Sequence, residues 1–137
     1  MRRIISPRTH GVLDYLTVAV LALAPAALDL STRATTTAFV LAGSYLVLSL
    51  LTDYPLALVR LVPFRIHGII EALSVVALPL LPWWLDFSAD LAGRNLCVAL
   101  AVVTLVVAML TDWDRRDATA DLNRPGQSPT GTRPARN

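Results

Sequence analysis

Two histidines, each followed four positions later by a carboxylate, are the residues of this chain best suited to chemistry. His10 precedes Asp14, and His67 precedes Glu71. A spacing of four residues places both side chains of a pair on the same face of a helix. Imidazole and carboxylate groups together can transfer protons, or can bind a transition metal such as Fe, Mn or Zn. Each pair therefore marks a candidate site.

Two further carboxylates belong to a second recurring pattern. Residues 51–54 (Leu-Thr-Asp-Tyr) match residues 110–113 (Leu-Thr-Asp-Trp). Asp53 and Asp112 would lie at helix C-termini, where the negative end of the helix dipole disfavours a carboxylate by roughly 0.3–1 kcal/mol. We expect a histidine or an arginine to compensate this charge. The predicted polar cluster comprises His10, Asp14, Asp53, His67, Glu71 and Asp112.

These residues occur twice because the first half of the chain resembles the second half. Residues 10–14 (His-Gly-Val-Leu-Asp) match residues 67–71 (His-Gly-Ile-Ile-Glu), and the match continues without a gap to Ser31 and Ser88. Four apolar stretches of roughly 15–20 residues approach the ~20 residues that cross a bilayer core. None shows the polar stripe of a helix in a soluble bundle. The stretches are 11–28, 36–51, 68–85 and 96–110.

The sequence therefore predicts an all-α, integral membrane four-helix bundle made from two tandem two-helix repeats that enter the membrane in parallel sense. The predicted divisions are a basic N-terminal lead (1–9), a first helical hairpin (10–54), a cytoplasmic loop (55–64), a second hairpin (65–117) and a disordered C-terminal tail (118–137). Tyr54, Trp83, Trp84 and Trp113 fall at predicted helix ends, as aromatic residues at a membrane interface do.

Charge predicts the orientation of the bundle. Among the arginines up to residue 124, eight belong to one predicted side and two to the other. The first group is Arg2, Arg3, Arg8, Arg60, Arg65, Arg115, Arg116 and Arg124, and the second is Arg33 and Arg94. The positive-inside rule places both termini and the central loop in the cytoplasm, in a multi-pass protein of a bacterial inner membrane. The net charge of +2 then reflects topology, so the expected partner is the lipid bilayer and not nucleic acid.

Several functions are open for the polar cluster. The favoured interpretation is a non-enzymatic scaffold or partner subunit, in which histidines and acids bind one another and hold each hairpin together. A proton or ion pathway is the first alternative, and oligomerisation would help it because four short helices leave little room for a pore. A metal-binding membrane enzyme, with a divalent metal as the possible cofactor, is the second alternative. Bis-histidine ligation of haem and the binding of a lipid or quinone head group are further alternatives. The metal ligands would be His10, Asp14, His67 and Glu71. The single Cys97 excludes a cysteine-based metal site within one chain.

Residues 82–88 (Pro-Trp-Trp-Leu-Asp-Phe-Ser) and the two-helix unit resemble the SPW-repeat family of small bacterial membrane proteins. A Ser-Pro-Trp motif marks the first of two transmembrane helices in that family. Residues 81–83 (Leu-Pro-Trp) keep two of its three residues, and residues 24–26 (Ala-Pro-Ala) keep only the proline. The resemblance covers residues 10–112 and implies the fold and a bacterial inner-membrane location, but no activity.

Overall fold

The computed structural model describes residues 4–113, and this part of the chain is a bundle of helices, as predicted. The predicted tail, and Arg2, Arg3 and the arginines after residue 113, lie outside the described residues. The elements are α1 (Pro7–Leu28), α2 (Thr32–Leu51), α3 (Phe64–Ala77), a 3₁₀ turn (Leu78–Leu80), α4 (Leu81–Trp84) and α5 (Leu91–Leu110). Residues 4–113 contain no β-strand, only two isolated backbone bridges.

Within residues 4–113, four helical spans are long and apolar enough to cross a membrane. Three of the spans are α1, α2 and α5, with 22, 20 and 20 residues. The remaining span, Phe64–Trp84, has 21 residues and consists of α3, the 3₁₀ turn and α4. Each span begins earlier than its predicted apolar stretch, because the first helical turns include polar residues. In α1, Ser6 accepts a hydrogen bond from the Thr9 N–H (3.2 Å), and Pro7 occupies the first helical position, as a good helix start requires.

Many large apolar side chains lie on the outside of the bundle, and small and polar residues share the core with a few large ones such as Leu21 and Leu78. Leu23, Leu73 and Val76 are among its many exposed aliphatic residues. Its main core cluster includes Ala42 and Ala101, whose small side chains let helices approach closely. This distribution is typical of helices whose outer surface contacts an apolar solvent.

α1 packs mainly along α2, and α3 mainly along α5, so the bundle consists of two hairpins. At the end where each hairpin turns, Asp90 joins them. Its carboxylate accepts the Gly93 N–H at the start of α5 and the Ser31 N–H before α2, both at 2.8 Å. These bonds hold the pKa of Asp90 below its ordinary value of 3.8. An ion pair between Arg33 and Asp86 makes a second link there.

Backbone hydrogen bonds tie the hairpins together at the opposite end. The Ile5 N–H, before α1, donates to the carbonyl of Leu110 at the end of α5 (3.0 Å). The Val62 N–H, before α3, donates to the carbonyl of Leu51 at the end of α2 (2.8 Å). The starts of α1 and α3 and the ends of α2 and α5 therefore lie at one level, as the sequence predicts. We call this end of the bundle the histidine end.

Candidate metal centre

Four of the six predicted site residues converge at the histidine end. The Nε2 atom of His10 lies 3.4 Å from Nε2 of His67, 3.4 Å from Asp14 and 3.4 Å from Glu71. The Nε2 atom of His67 lies 3.5 Å from Asp14 and 3.7 Å from Glu71. The histidines are 0% exposed and the two acids 3% exposed. One ligand atom from each residue falls within 4.8 Å of all the others, close enough to surround a metal ion.

The other ring nitrogen of each histidine bonds to a threonine at the end of a helix. Nδ1 of His10 lies 2.9 Å from the hydroxyl oxygen of Thr111. Nδ1 of His67 lies 2.8 Å from the hydroxyl oxygen of Thr52. These contacts run between hairpins, since each histidine meets the threonine of the other hairpin. The prediction that each hairpin is held together by its own polar residues is therefore wrong for the histidines, which bind the two hairpins to each other.

The threonines determine which nitrogen of each histidine carries the proton. Each threonine hydroxyl donates its one hydrogen to the carbonyl four residues earlier, at 2.6 Å for Thr52 and 2.7 Å for Thr111. The hydroxyl oxygen can then only accept, so the neighbouring Nδ1 must be the donor. In a neutral imidazole, Nε2 is then an acceptor with a free lone pair. Both lone pairs face the two carboxylates.

The centre thus contains four acceptors and needs a positive species among them. Two imidazolium rings paired with the carboxylates would give charge-assisted hydrogen bonds of ~2.7–2.9 Å. The observed separations of 3.4–3.7 Å are longer than this. Ligands arranged tetrahedrally at 2.0–2.2 Å from a zinc ion lie about 3.3–3.6 Å apart. The spacing therefore leaves room for an ion, although each carboxylate approaches the two histidines with different oxygens and one ligand atom per residue spans up to 4.8 Å. Two buried carboxylates also carry the charge that a divalent cation neutralises.

Two glycines let aromatic rings cover the centre. A Cβ atom on Gly11 would lie 2.5 Å from the ring of Tyr54, and one on Gly68 would lie 2.8 Å from the ring of Trp113. Each glycine directly follows a site histidine, so the rings lie beside the imidazoles. The glycines therefore serve close packing, and the group that approaches each of them is a side-chain ring.

The two covering rings differ in their hydrogen bonds. The Tyr54 hydroxyl donates to the Asp14 carboxylate at 3.3 Å. The indole N–H of Trp113 donates to the Ala108 carbonyl at 3.0 Å, while its ring lies edge-on to His10 with centroids 5.0 Å apart. Burial raises the pKa of Tyr54 far above its ordinary value of 10.0, so its phenol stays a donor.

Asp53 and Asp112 do not join the four converging residues, which corrects the predicted cluster. Thr52 and Thr111, which precede them, both have extended backbone (φ −78°, ψ 136°). Successive side chains on extended backbone point to opposite sides, so the threonine faces inward and the following aspartate does not. The Asp53 carboxylate is exposed and lies 3.6 Å from Arg60, which supplies the expected compensating charge.

Sequence reasoning missed the two threonines and misplaced one aromatic residue. Both threonines belong to the matched Leu-Thr-Asp pattern, and a hydroxyl at a helix end that can accept from imidazole was the available signal. Tyr54 is 2% exposed and covers the site, so its assignment to a membrane interface is wrong. Trp83 and Trp84 are exposed at a helix end, where that interpretation still applies.

No family model matches this chain, and no curated protein or solved structure matches it. The resemblance to the SPW-repeat family stays a prediction. The function must therefore be argued from the centre itself. Its closed set of two imidazoles and two carboxylates, with oriented histidines, is suited to holding a metal ion.

Proposed function

We propose that this chain is an integral membrane protein that holds one divalent transition-metal ion between its two helical hairpins. The ligands are His10, Asp14, His67 and Glu71. The observation that carries the proposal is the convergence of four acceptors in a buried site, with both histidines held in the tautomer that leaves Nε2 free to bind a metal. Histidine ligands of metals commonly donate their other N–H to an oxygen acceptor in this way.

Zinc is one metal that fits the ligand set. Imidazole nitrogen and carboxylate oxygen are both zinc ligands, and four protein ligands in a closed site are typical of structural zinc. Fe²⁺ and Mn²⁺ are accepted by the same donor types. The ion would neutralise the two carboxylates and join α1 to α3. Its role is therefore to fasten the hairpins together, in the scaffold that the sequence favours.

The membrane location is supported by the four apolar spans and by their apolar outer faces. Among the described residues, Arg8, Arg60 and Arg65 belong to the histidine end, and Arg33 and Arg94 belong to the other end. Together with the further arginines of the sequence, this asymmetry supports a cytoplasmic histidine end in a bacterial inner membrane by the positive-inside rule. The metal would then lie near the cytoplasmic boundary of the bilayer.

Metal analysis tests the proposal directly. The protein is purified in detergent without chelators, and its metal content is measured by mass spectrometry. We expect one zinc, iron or manganese ion per chain in the wild type and loss of that ion in His10→Ala and His67→Ala. Asp53→Asn is the matched control, because this carboxylate lies outside the centre, and it should keep the ion. A wild-type protein without stoichiometric metal, even after incubation with Zn²⁺, Fe²⁺ and Mn²⁺, would overturn the proposal.

Proton transfer is the second candidate, favoured by the same surplus of acceptors. In a metal-free chain, protons must occupy the space among His10, Asp14, His67 and Glu71, and acidic groups at membrane depth are typical of proton relays. Proton flux into liposomes that disappears in Glu71→Gln without loss of thermal stability would favour this function. An absence of flux in the wild-type protein would exclude it.

A further inference from the structure

A cavity lies between α1 and α5 and reaches the acids of the metal centre. It encloses about 270 Å³, slightly below the usual range for sites that hold a drug-sized ligand. Its walls are mainly aliphatic, and Asp14 and Glu71 contribute its charged groups. α1 and α5 make few close contacts with each other, which leaves this space open. The cavity is therefore apolar along its length and polar at one end.

Two buried oxygen atoms at this cavity have no hydrogen-bond partner within residues 4–113. They are the Tyr45 hydroxyl, on a residue that is 7% exposed, and Oε2 of Glu71. A buried polar atom without a partner costs about 1–3 kcal/mol. Both residues line the cavity, so each offers an unsatisfied polar atom to a ligand there.

Within the described part of the chain, Oε2 of Glu71 has no donor because the two aromatic rings that cover the centre, Tyr54 and Trp113, direct their donor groups differently. Tyr54 gives Asp14 a hydroxyl donor, whereas Trp113 directs its N–H to a main-chain carbonyl. Within residues 4–113, Oε2 of Glu71 receives no hydroxyl donor, and Nε2 of His10, at 3.4 Å, is too far for a hydrogen bond of normal length. With the proposed ion bound through Oε1, Oε2 would remain an acceptor without a donor.

The mouth of the cavity lies on the outer face of the bundle. Leu16, Val20 and Val103 line it and are each more than half exposed. In an inserted bundle this face contacts acyl chains. A ligand would then enter sideways from the bilayer.

We propose that this cavity binds a lipid-soluble molecule that has an apolar body and a hydroxyl group at one end. The hydroxyl donates to the Glu71 carboxylate and accepts from the Tyr45 phenol, while the apolar body lies between α1 and α5. This inference rests on the proposed membrane insertion and metal centre. Phenolic head groups, as in quinols, and long-chain alcohols share this chemistry, so the test must separate them.

Binding to the metal-loaded protein in detergent tests the proposal with three probes: decylhydroquinone, its dimethyl ether and 1-decanol. Specific binding is the part displaced by excess unlabelled probe. We expect the hydroquinone to bind saturably and the ether, which has no hydroxyl, to bind at least tenfold more weakly. Saturable binding of 1-decanol as well would identify a general alcohol site, and its failure would identify a phenol site. Equal binding of the ether would overturn the role of the hydroxyl.

Variants on neighbouring positions of α5 localise the binding. Val103→Trp fills the cavity and should reduce hydroquinone affinity at least tenfold. Val102→Trp adds the same bulk to a neighbouring exposed position that does not line the cavity, and should bind as the wild type does. Tyr45→Phe should weaken binding severalfold. Equal binding by Val103→Trp and the wild type would overturn the cavity proposal.

Metal content measured on the same samples separates the two proposals. If the wild type and Val103→Trp hold equal metal but neither binds the probes, the cavity proposal fails and the metal proposal stands. If the wild type holds no metal, the proposed function fails whatever the probes do. Displaceable binding in the metal-free protein would show that the cavity needs only the folded bundle.

Discussion

Replacement of Thr111 by valine should weaken metal binding by one to two powers of ten. Valine has nearly the same shape as threonine, so the change removes one hydroxyl with little change of packing. The hydroxyl is the acceptor for Nδ1–H of His10, at 2.9 Å in a site that is 0% exposed. An orphaned buried N–H costs about 1–3 kcal/mol. The loss of such a supporting partner typically lowers metal affinity 10–100-fold, and at 1.4 kcal/mol per tenfold these two magnitudes agree.

The chain offers two matched comparisons for this change. Thr52→Val removes the acceptor of His67, at 2.8 Å, and should weaken binding by a similar factor. Thr111→Ser keeps the hydroxyl and should recover most of the affinity. The serine variant separates the hydrogen bond from the loss of a methyl group.

The assay is competition for Zn²⁺ against a chelator of known affinity, on purified protein in detergent. Thermal unfolding of the metal-free variants, measured in parallel, shows how much of the effect belongs to the apoprotein. Zinc affinity within twofold of wild type in both valine variants would refute the argument that the threonines hold the histidines in their metal-binding tautomer.

Three further predictions concern the surroundings of the centre. Gly68→Ala places a Cβ atom 2.8 Å from the Trp113 ring and should destabilise the protein by about 1–3 kcal/mol, whereas Gly43→Ala, with no atom within 4 Å, should not lower the unfolding temperature. Asp90→Ala should cost about 0.5–2 kcal/mol at pH 7. Because folding lowers the pKa of Asp90, this stabilisation is complete above about pH 4–5 and is lost as pH falls through the folded-state pKa below 3.8. Unfolding curves at pH 7 and pH 3 should therefore show a smaller deficit at pH 3, and an unchanged deficit would contradict this. Tyr54→Phe removes a donor from a ligand carboxylate and should weaken zinc binding by up to about tenfold in the same competition assay.

The helical bundle was predictable because apolar length and helix-capping residues are local signals. The four apolar stretches and the Ser6-Pro7 start required no knowledge of tertiary contacts. The level of the site was predictable as well, because antiparallel helices return the chain to the same end. His10 and His67 therefore had to lie near each other once the two hairpins packed side by side.

The partners of the histidines were not predictable in this way. The choice between Thr52 and Asp53 depends on the extended backbone at the helix end, which turns one side chain inward and the next outward. An argument from charge alone selects the aspartate, because the helix dipole does not indicate the direction in which each side chain points. Which threonine each histidine contacts depends on how the two hairpins pack against each other. The sequence pattern would be the same if each histidine contacted the threonine of its own hairpin.

The contacts of each histidine with the threonine of the other hairpin also set an order in which the centre can form during synthesis of the chain. All four proposed ligands, His10, Asp14, His67 and Glu71, lie on α1 and α3, so they are present before α5 has been synthesised. The acceptor of His67 is 15 residues away in the chain, whereas Thr111 is 101 residues from His10. A nascent chain of three helices can thus capture the ion with one histidine already oriented. The last helix supplies Thr111, which orients the second histidine, so the ligand set of the proposed centre is complete in the chain before the fold is.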